Sequence, residues 1–163
     1  AEMIAVRDRL QVTRQIFFVA TGGFDTHDDQ AQDQPGLLAN VSQCMSAFYR
    51  ATVEMSVASS VAAFTQSDFG RTLTSNGDGT DHAWGGIQLV VGGAVRGREL
   101  YGRYPVLEIG AAADVGGGRM IPALSSDQYA ATLARWFGVA DAQLPVVAPH
   151  IASFPQRDLG FMV

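Results

Sequence analysis

Three short apolar runs along the chain read as strands, Gln15–Ala20, Ser60–Thr65 and Ile87–Gly92, the first of them apolar on both alternating faces. A strand covered on both sides reads this way, which predicts central strands of a parallel sheet. Between the first two runs the apolar positions change period. Leu37, Leu38, Val41, Cys44, Met45, Phe48, Thr52 and Met55 recur at steps of three and four, predicting an amphipathic helix of about five turns. Pro35 suits its first turn. Strand, helix, strand is the βαβ unit, whose strands are parallel and whose crossover is right-handed. The pattern therefore predicts an α/β fold, a mainly parallel sheet flanked by helices.

The flanking segments add detail. Glu2–Gln11 carries Ile4, Val6 and Leu10 and reads as the end of a helix. Gly70–Gly86, rich in Gly, Thr and Asp, reads as a long loop, and long loops inside domains tend to carry function. Val95–Arg98, Glu99–Tyr101 and Pro105–Ile109 read as short strands in a small β-hairpin region. Ala111–Gly118 is a Gly-rich connection. Ser125, Ser126 and Asp127 offer N-caps for a helix over Gln128–Phe137, closed by Gly138. Asp141–Leu144 reads as one more helical turn, and Pro145–Val163 as mostly irregular. Residues 1–163 form one domain on this reading. Because the chain opens inside a helix, it is expected to be the C-terminal part of a longer protein.

Composition narrows the possibilities. Of 163 residues, 47% are hydrophobic, enough to bury a core and to exclude disorder. A net charge of −5 leaves no broad basic footprint for nucleic acid. The 11 basic residues are all Arg, more simply a matter of base composition than of anion binding. A lone cysteine, Cys44, cannot form an internal disulfide and is expected to pack as a small apolar residue. The apolar runs are far shorter than the ~20 residues that span a bilayer.

Three loops hold the candidate chemistry. The first reads Gly22-Gly23-Phe24-Asp25-Thr26-His27-Asp28, with Asp29 and Asp33 following. Carboxylate oxygen and imidazole nitrogen two positions apart are a common ligand pair for zinc or manganese. Equally, Asp25 can cap a turn and His27 can lie on the surface. The second reads Ser67-Asp68-Phe69-Gly70-Arg71-Thr72. There Arg71 can clamp a phosphate or sulfate group, or pair internally with Asp68. The third reads Gly79-Thr80-Asp81-His82-Ala83-Trp84-Gly85-Gly86, a second His beside an Asp. Asp81 can orient His82, or each can serve only its own turn. Trp84 reads as core or pocket wall, and His150 as a surface residue. Parallel strands ending on one sheet edge would bring the first two loops together, where ligands of open α/β sheets bind.

At these residues the chain resembles a bacterial family called domain of unknown function 1501. Gly-Gly-Phe-Asp-Thr-His (22–27), Ser-Asp-Phe-Gly-Arg-Thr (67–72) and Gly-Thr-Asp-His-Ala-Trp-Gly-Gly (79–86) look like its signature blocks. Gly92–Val95, Tyr101–Pro105 and Asp127–Gly138 resemble later blocks in the same order. The resemblance implies an alkaline-phosphatase- and sulfatase-like fold and export to the periplasm or beyond, many members carrying a twin-arginine signal. It also implies Asp25 and His27 as ligands of one metal, joined by His82, and Asp68 as a ligand of a second. Phosphatases of that superfamily carry an Asp-His pair at the second loop, whereas Phe69 follows Asp68 here. Their nucleophilic Ser or Thr comes from an N-terminal half.

The resulting expectation is the C-terminal part of an exported metal-dependent hydrolase of phosphate or sulfate esters, acting on a small anionic ester or sugar-linked substrate and inert alone. Asp25, His27, Asp68 and His82 would bind metal, Arg71 would steady the anion in catalysis, and Asp81 would support His82 from behind. The missing N-terminal half would be its partner, with no nucleic acid and no membrane span. The rival expectation is a non-catalytic binding or scaffold protein that keeps the fold.

Overall fold

A computed structural model describes all residues, 1–163. Two single-turn helices open the chain, α1 (Glu2–Ala5) and α2 (Arg7–Leu10), followed by the long α3 (Gln30–Glu54). The strands β1 (Ala62–Phe64), β2 (Gly70–Ser75), β3 (Thr80–Ala83) and β4 (Val90–Gly92) come next, then α4 (Ser126–Phe137) and α5 (Leu144–Val147). Among the helices, none is long and apolar enough to cross a membrane.

The expected parallel sheet is not there. Two antiparallel pairs stand in its place, β1 with β4 and β2 with β3. The apolar runs at Ser60–Thr65 and Ile87–Gly92 do form strands, but they pair with each other through Ala62–Gly92, Ala63–Val91 and Phe64–Val90. Gln15–Ala20, expected as the first strand, has no regular structure. Residues 15–23 make no backbone hydrogen bond, and Ile16, Phe18 and Val19 are 80%, 92% and 87% exposed. A strand exists only through its neighbours, and this run has none.

The long loop expected at Gly70–Gly86 is instead the β2–β3 hairpin. Its turn is built on Asn76-Gly77-Asp78-Gly79, with Asn76 N–H donating to the Gly79 carbonyl and the Asn76 side chain accepting from Gly79 N–H. Asn-Gly and Asp-Gly pairs are strong short-range hairpin signals. The expected strands at Glu99–Tyr101 and Pro105–Ile109 are irregular, and Val95 makes one bridge to Met162.

Helix α3 starts five residues before Pro35, with Asp29 in the left-handed region at its N-cap. The early start is held from outside. Gln30 N–H donates to the Asp78 carbonyl, and the Thr80 hydroxyl donates to the Gln30 side chain, so the hairpin anchors the first turn. Cys44 is exposed on this helix rather than packed.

Helix α4 follows its sequence signals closely. Ser125 and Gln128 form a reciprocal capping box, and Gly138 closes the helix at φ 101°. One side of α4 packs Ala131 against Leu144, Ala148 and Ile151, and another packs Leu133 against Leu159 and Phe161. Tyr129 on the same helix donates its hydroxyl to the Thr65 carbonyl, tying the end of β1 to this core. Burial pushes that phenol well above its ordinary range.

The core is small for the chain. Only 19 of 163 residues are buried, and the accessible surface is 10934 Å². A compact monomer of 17.3 kDa exposes about 7,800 Å², so roughly 3,000 Å² remain uncovered. The excess includes the apolar runs around Phe18, Ile87 and Val106. Two substitutions should separate covered from uncovered apolar surface. Leu144→Ala, at 2% exposure, is expected to lower unfolding free energy by about 3 kcal/mol. Phe18→Glu should change it by less than about 0.5 kcal/mol. A large loss of stability in Phe18→Glu would mean that the run is packed after all.

Candidate functional site

The hairpin and the first loop meet face to face. Gly79 is the closest point of approach, since a methyl group there would overlap the carbonyl oxygens of Thr26 and His27. Thr26 is buried at this seam. On the hairpin, the register pairs Arg71 with His82 across the strands. These two features bring Asp25, His27 and His82 together although they lie up to 57 residues apart in sequence.

The three ligand-type atoms form a tight triangle. His82 Nε2 is 2.7 Å from Asp25 Oδ1, His27 Nε2 is 3.0 Å from the same oxygen, and the two Nε2 atoms are 3.2 Å apart. A carboxylate oxygen can accept from both imidazoles, and the 3.2 Å edge between the two Nε2 atoms is then a close contact rather than a hydrogen bond of its own. The same three atoms can instead each offer a lone pair to a cation. Asp25, His27 and His82 would together hold a divalent ion such as zinc, for which carboxylate oxygen and imidazole nitrogen are ordinary ligands. The donor set fits a divalent metal.

Neighbouring groups hold the triangle in place. Hydrogen bonding from His82, helped by the nearby His27 and Arg71, keeps the Asp25 carboxyl below its ordinary range against a smaller opposing effect of desolvation. Asp81 Oδ1 lies 3.5 Å from His27 Nδ1, on the far side of the ring from the triangle, and is also 3.3 Å from Asn76 Nδ2. The structure thus sets Asp81 beside His27, the neighbouring loop's imidazole, where the sequence paired it with His82. Asp68 is exposed and is not among the three converging groups. Trp84 is exposed too, at the hairpin's end.

Arg71 faces inward. Its Nη1 donates to the Thr80 carbonyl at 2.6 Å, and its Nη2 to the Phe24 carbonyl at 2.6 Å and to Asp25 Oδ1 at 3.2 Å. Its Nε is buried without a partner. Phe69, which the sequence marked only as a departure from a ligand pair, lies parallel to the His82 ring at a centroid distance of 3.8 Å and 4°. Nothing in the order of residues announced that stack. The hairpin turn at Asn76-Gly77 was the available signal, since it fixes which residues of β2 and β3 become neighbours.

The seam at Gly79 can be tested directly. Gly79→Ala forces the hairpin away from the first loop and is expected to cost about 1–3 kcal/mol and to shift the His27 and His82 imidazole resonances in NMR spectra. Gly86→Ala, which has open space around it, should do neither. Identical spectra for wild type and Gly79→Ala would contradict the placement of the two loops.

Compared with known proteins, residues 1–143 match the family described as Protein of unknown function (DUF1501). Searches of the curated proteins and of the solved structures returned no match.

Proposed function

The chain belongs to the DUF1501 family, and from that premise we propose that it is part of an exported, metal-dependent hydrolase of phosphate or sulfate esters. Asp25, His27 and His82 hold one divalent ion, zinc or manganese. The observation that carries this reading is the 2.7–3.2 Å triangle of one carboxylate oxygen and two imidazole nitrogens, a donor set of the kind that holds a divalent ion. When bound, the metal would supply Lewis-acid stabilisation of charge on an ester oxygen. The chain's own part would be to hold it with Asp25, His27 and His82.

On this reading the 163 residues are inert by themselves. A Ser or Thr nucleophile and further metal ligands come from another segment of the intact protein, the N-terminal half inferred from the sequence. Support for an additional segment comes from the uncovered surface, whose strand-like run at Gln15–Ala20 lacks any pairing partner. Export to the periplasm or medium, and the alkaline-phosphatase-like superfamily, belong to the same proposal and rest on the signature blocks.

A second reading has an observation in its favour. Arg71 is engaged with the chain itself, so it offers no free cation to an ester anion, and Phe69 takes the place of a ligand. Both suit a binding or scaffold protein that kept the loops and lost the chemistry.

Metal content separates the two. Metal-free chain incubated with zinc or manganese and freed of excess is expected to retain about one ion per chain by elemental analysis. Asp25→Asn, His27→Ala and His82→Ala should each lose it, and a chelator should lower the melting temperature of the loaded wild type. No retained ion and no response to chelator would leave the scaffold reading. The isolated chain should show no turnover of aryl phosphate or aryl sulfate. Turnover above background would overturn its incompleteness.

A further inference from the structure

We infer that Phe69 and Arg71 are positioning residues that shape the Asp25–His27–His82 triangle, an inference that rests on the metal-site reading above. His82 is half exposed, and the terminal torsion of an imidazole is broad and roughly two-fold. The 2.7 Å contact with Asp25 fixes one atom of the ring and leaves its plane free to turn. Two rings restrict it. Phe69 lies flat against it at 3.8 Å and 4°, and His27 lies at 5.0 Å and 24°. A parallel contact that close permits sliding in the ring plane but resists rotation out of it.

Arg71 acts on the other corner. Its two terminal nitrogens reach three oxygens on two separate segments: Thr80 at the start of β3, and Phe24 and Asp25 in the first loop. The guanidinium also sits 5.1 Å from the centre of the Phe69 ring, within the range of a cation–π contact. One side chain therefore sets the distance between Asp25 and the strand that carries His82, and packs on the ring that orients His82. With the side chain only 15% exposed, turning outward to grip an anion would require breaking these bonds. The geometry assigns Arg71 to the support of the ligands. A lysine has a single nitrogen and no planar fork, so it cannot make the same three contacts.

The experiment compares zinc affinity across four proteins by competition with a chromogenic chelator. Phe69→Leu and Arg71→Lys are each expected to weaken zinc binding about 10- to 100-fold, as loss of groups supporting a metal ligand does. Phe69→Tyr keeps the ring and should bind as wild type does. A second readout does not involve metal. In the metal-free wild type, the His82 ring protons should be shifted upfield by the Phe69 ring current, an effect kept in Phe69→Tyr and lost in Phe69→Leu. A general structural defect would instead disturb amide signals throughout the chain. If the wild type binds no zinc, the metal reading fails, and the ring-current shift alone decides whether Phe69 holds His82. Wild-type zinc affinity in both Phe69→Leu and Arg71→Lys, or no upfield shift in the wild type, would overturn the assignment.

Discussion

One guanidinium joins segments that the chain separates by more than forty residues. Arg71 lies on β2, yet its hydrogen bonds end on the carbonyl of Phe24 and the carboxylate of Asp25. The first loop has few other restraints, since residues 15–23 make no backbone hydrogen bonds and Asp25 is exposed. Close packing at Gly79 sets how near the hairpin can come, and Arg71 sets where along it Asp25 stops. Without both, the three ligand atoms would belong to independent loops, and their convergence would be lost to conformational entropy.

The molecule combines a firm end with an uncovered one. Helix α4 has caps at both ends and two small apolar clusters around it, with Leu144, Ile151 and Thr132 almost fully buried. The Thr132 hydroxyl donates to the Gln128 carbonyl and accepts from Leu159 N–H, so even the buried polar groups there are paired. Helix α3 buries only Thr52 over its 25 residues. Its apolar stripe was the clearest periodic signal in the sequence, and it meets little of the rest of the protein. Interfaces of obligate partners bury roughly 2,000–5,000 Å² in total, the same scale as the surface left exposed here. The stripe and the unpaired run at Gln15–Ala20 both lie on that exposed surface.

This division explains what could be read in advance. Local signals succeeded where the structure satisfies them locally. Ser125, Gln128 and Gly138 cap α4 as their types require, and the apolar runs at Ser60–Thr65 and Ile87–Gly92 become β1 and β4. The parallel sheet failed because it is a statement about partners. An apolar run says that a strand should be buried but not which strand lies beside it, and β1 found β4 in antiparallel register. The Gly, Thr and Asp content of Gly70–Gly86 suggests a long loop, whereas the Asn76-Gly77 turn closes it into a hairpin. At the site, Asp25, His27 and His82 were legible as ligand types in polar loops, and the structure brings them together. Asp68 had the same chemistry and stays outside. Asp81 ends beside His27 through the hairpin's register, which residue spacing does not encode.

The charge around the triangle constrains any chemistry proposed for it. The loops that build it carry Asp25, Asp28, Asp29, Asp68, Asp78 and Asp81, with Arg71 as the one basic residue between Gln15 and Thr80 outside α3. That Arg is already paired with Asp25 and two carbonyls. Such a field favours the arrival of a cation and opposes that of a phosphate or sulfate dianion. On the hydrolase reading, the bound ion must therefore do two things at once, neutralising the ligand carboxylate and attracting the ester. A dication coordinated by one carboxylate and two neutral imidazoles keeps a local charge of about +1 before the surrounding Asp residues are counted. That residual is too small to hold a dianion firmly, so an ester-cleaving form of this site needs further positive charge, and it has to come from groups beyond these three loops.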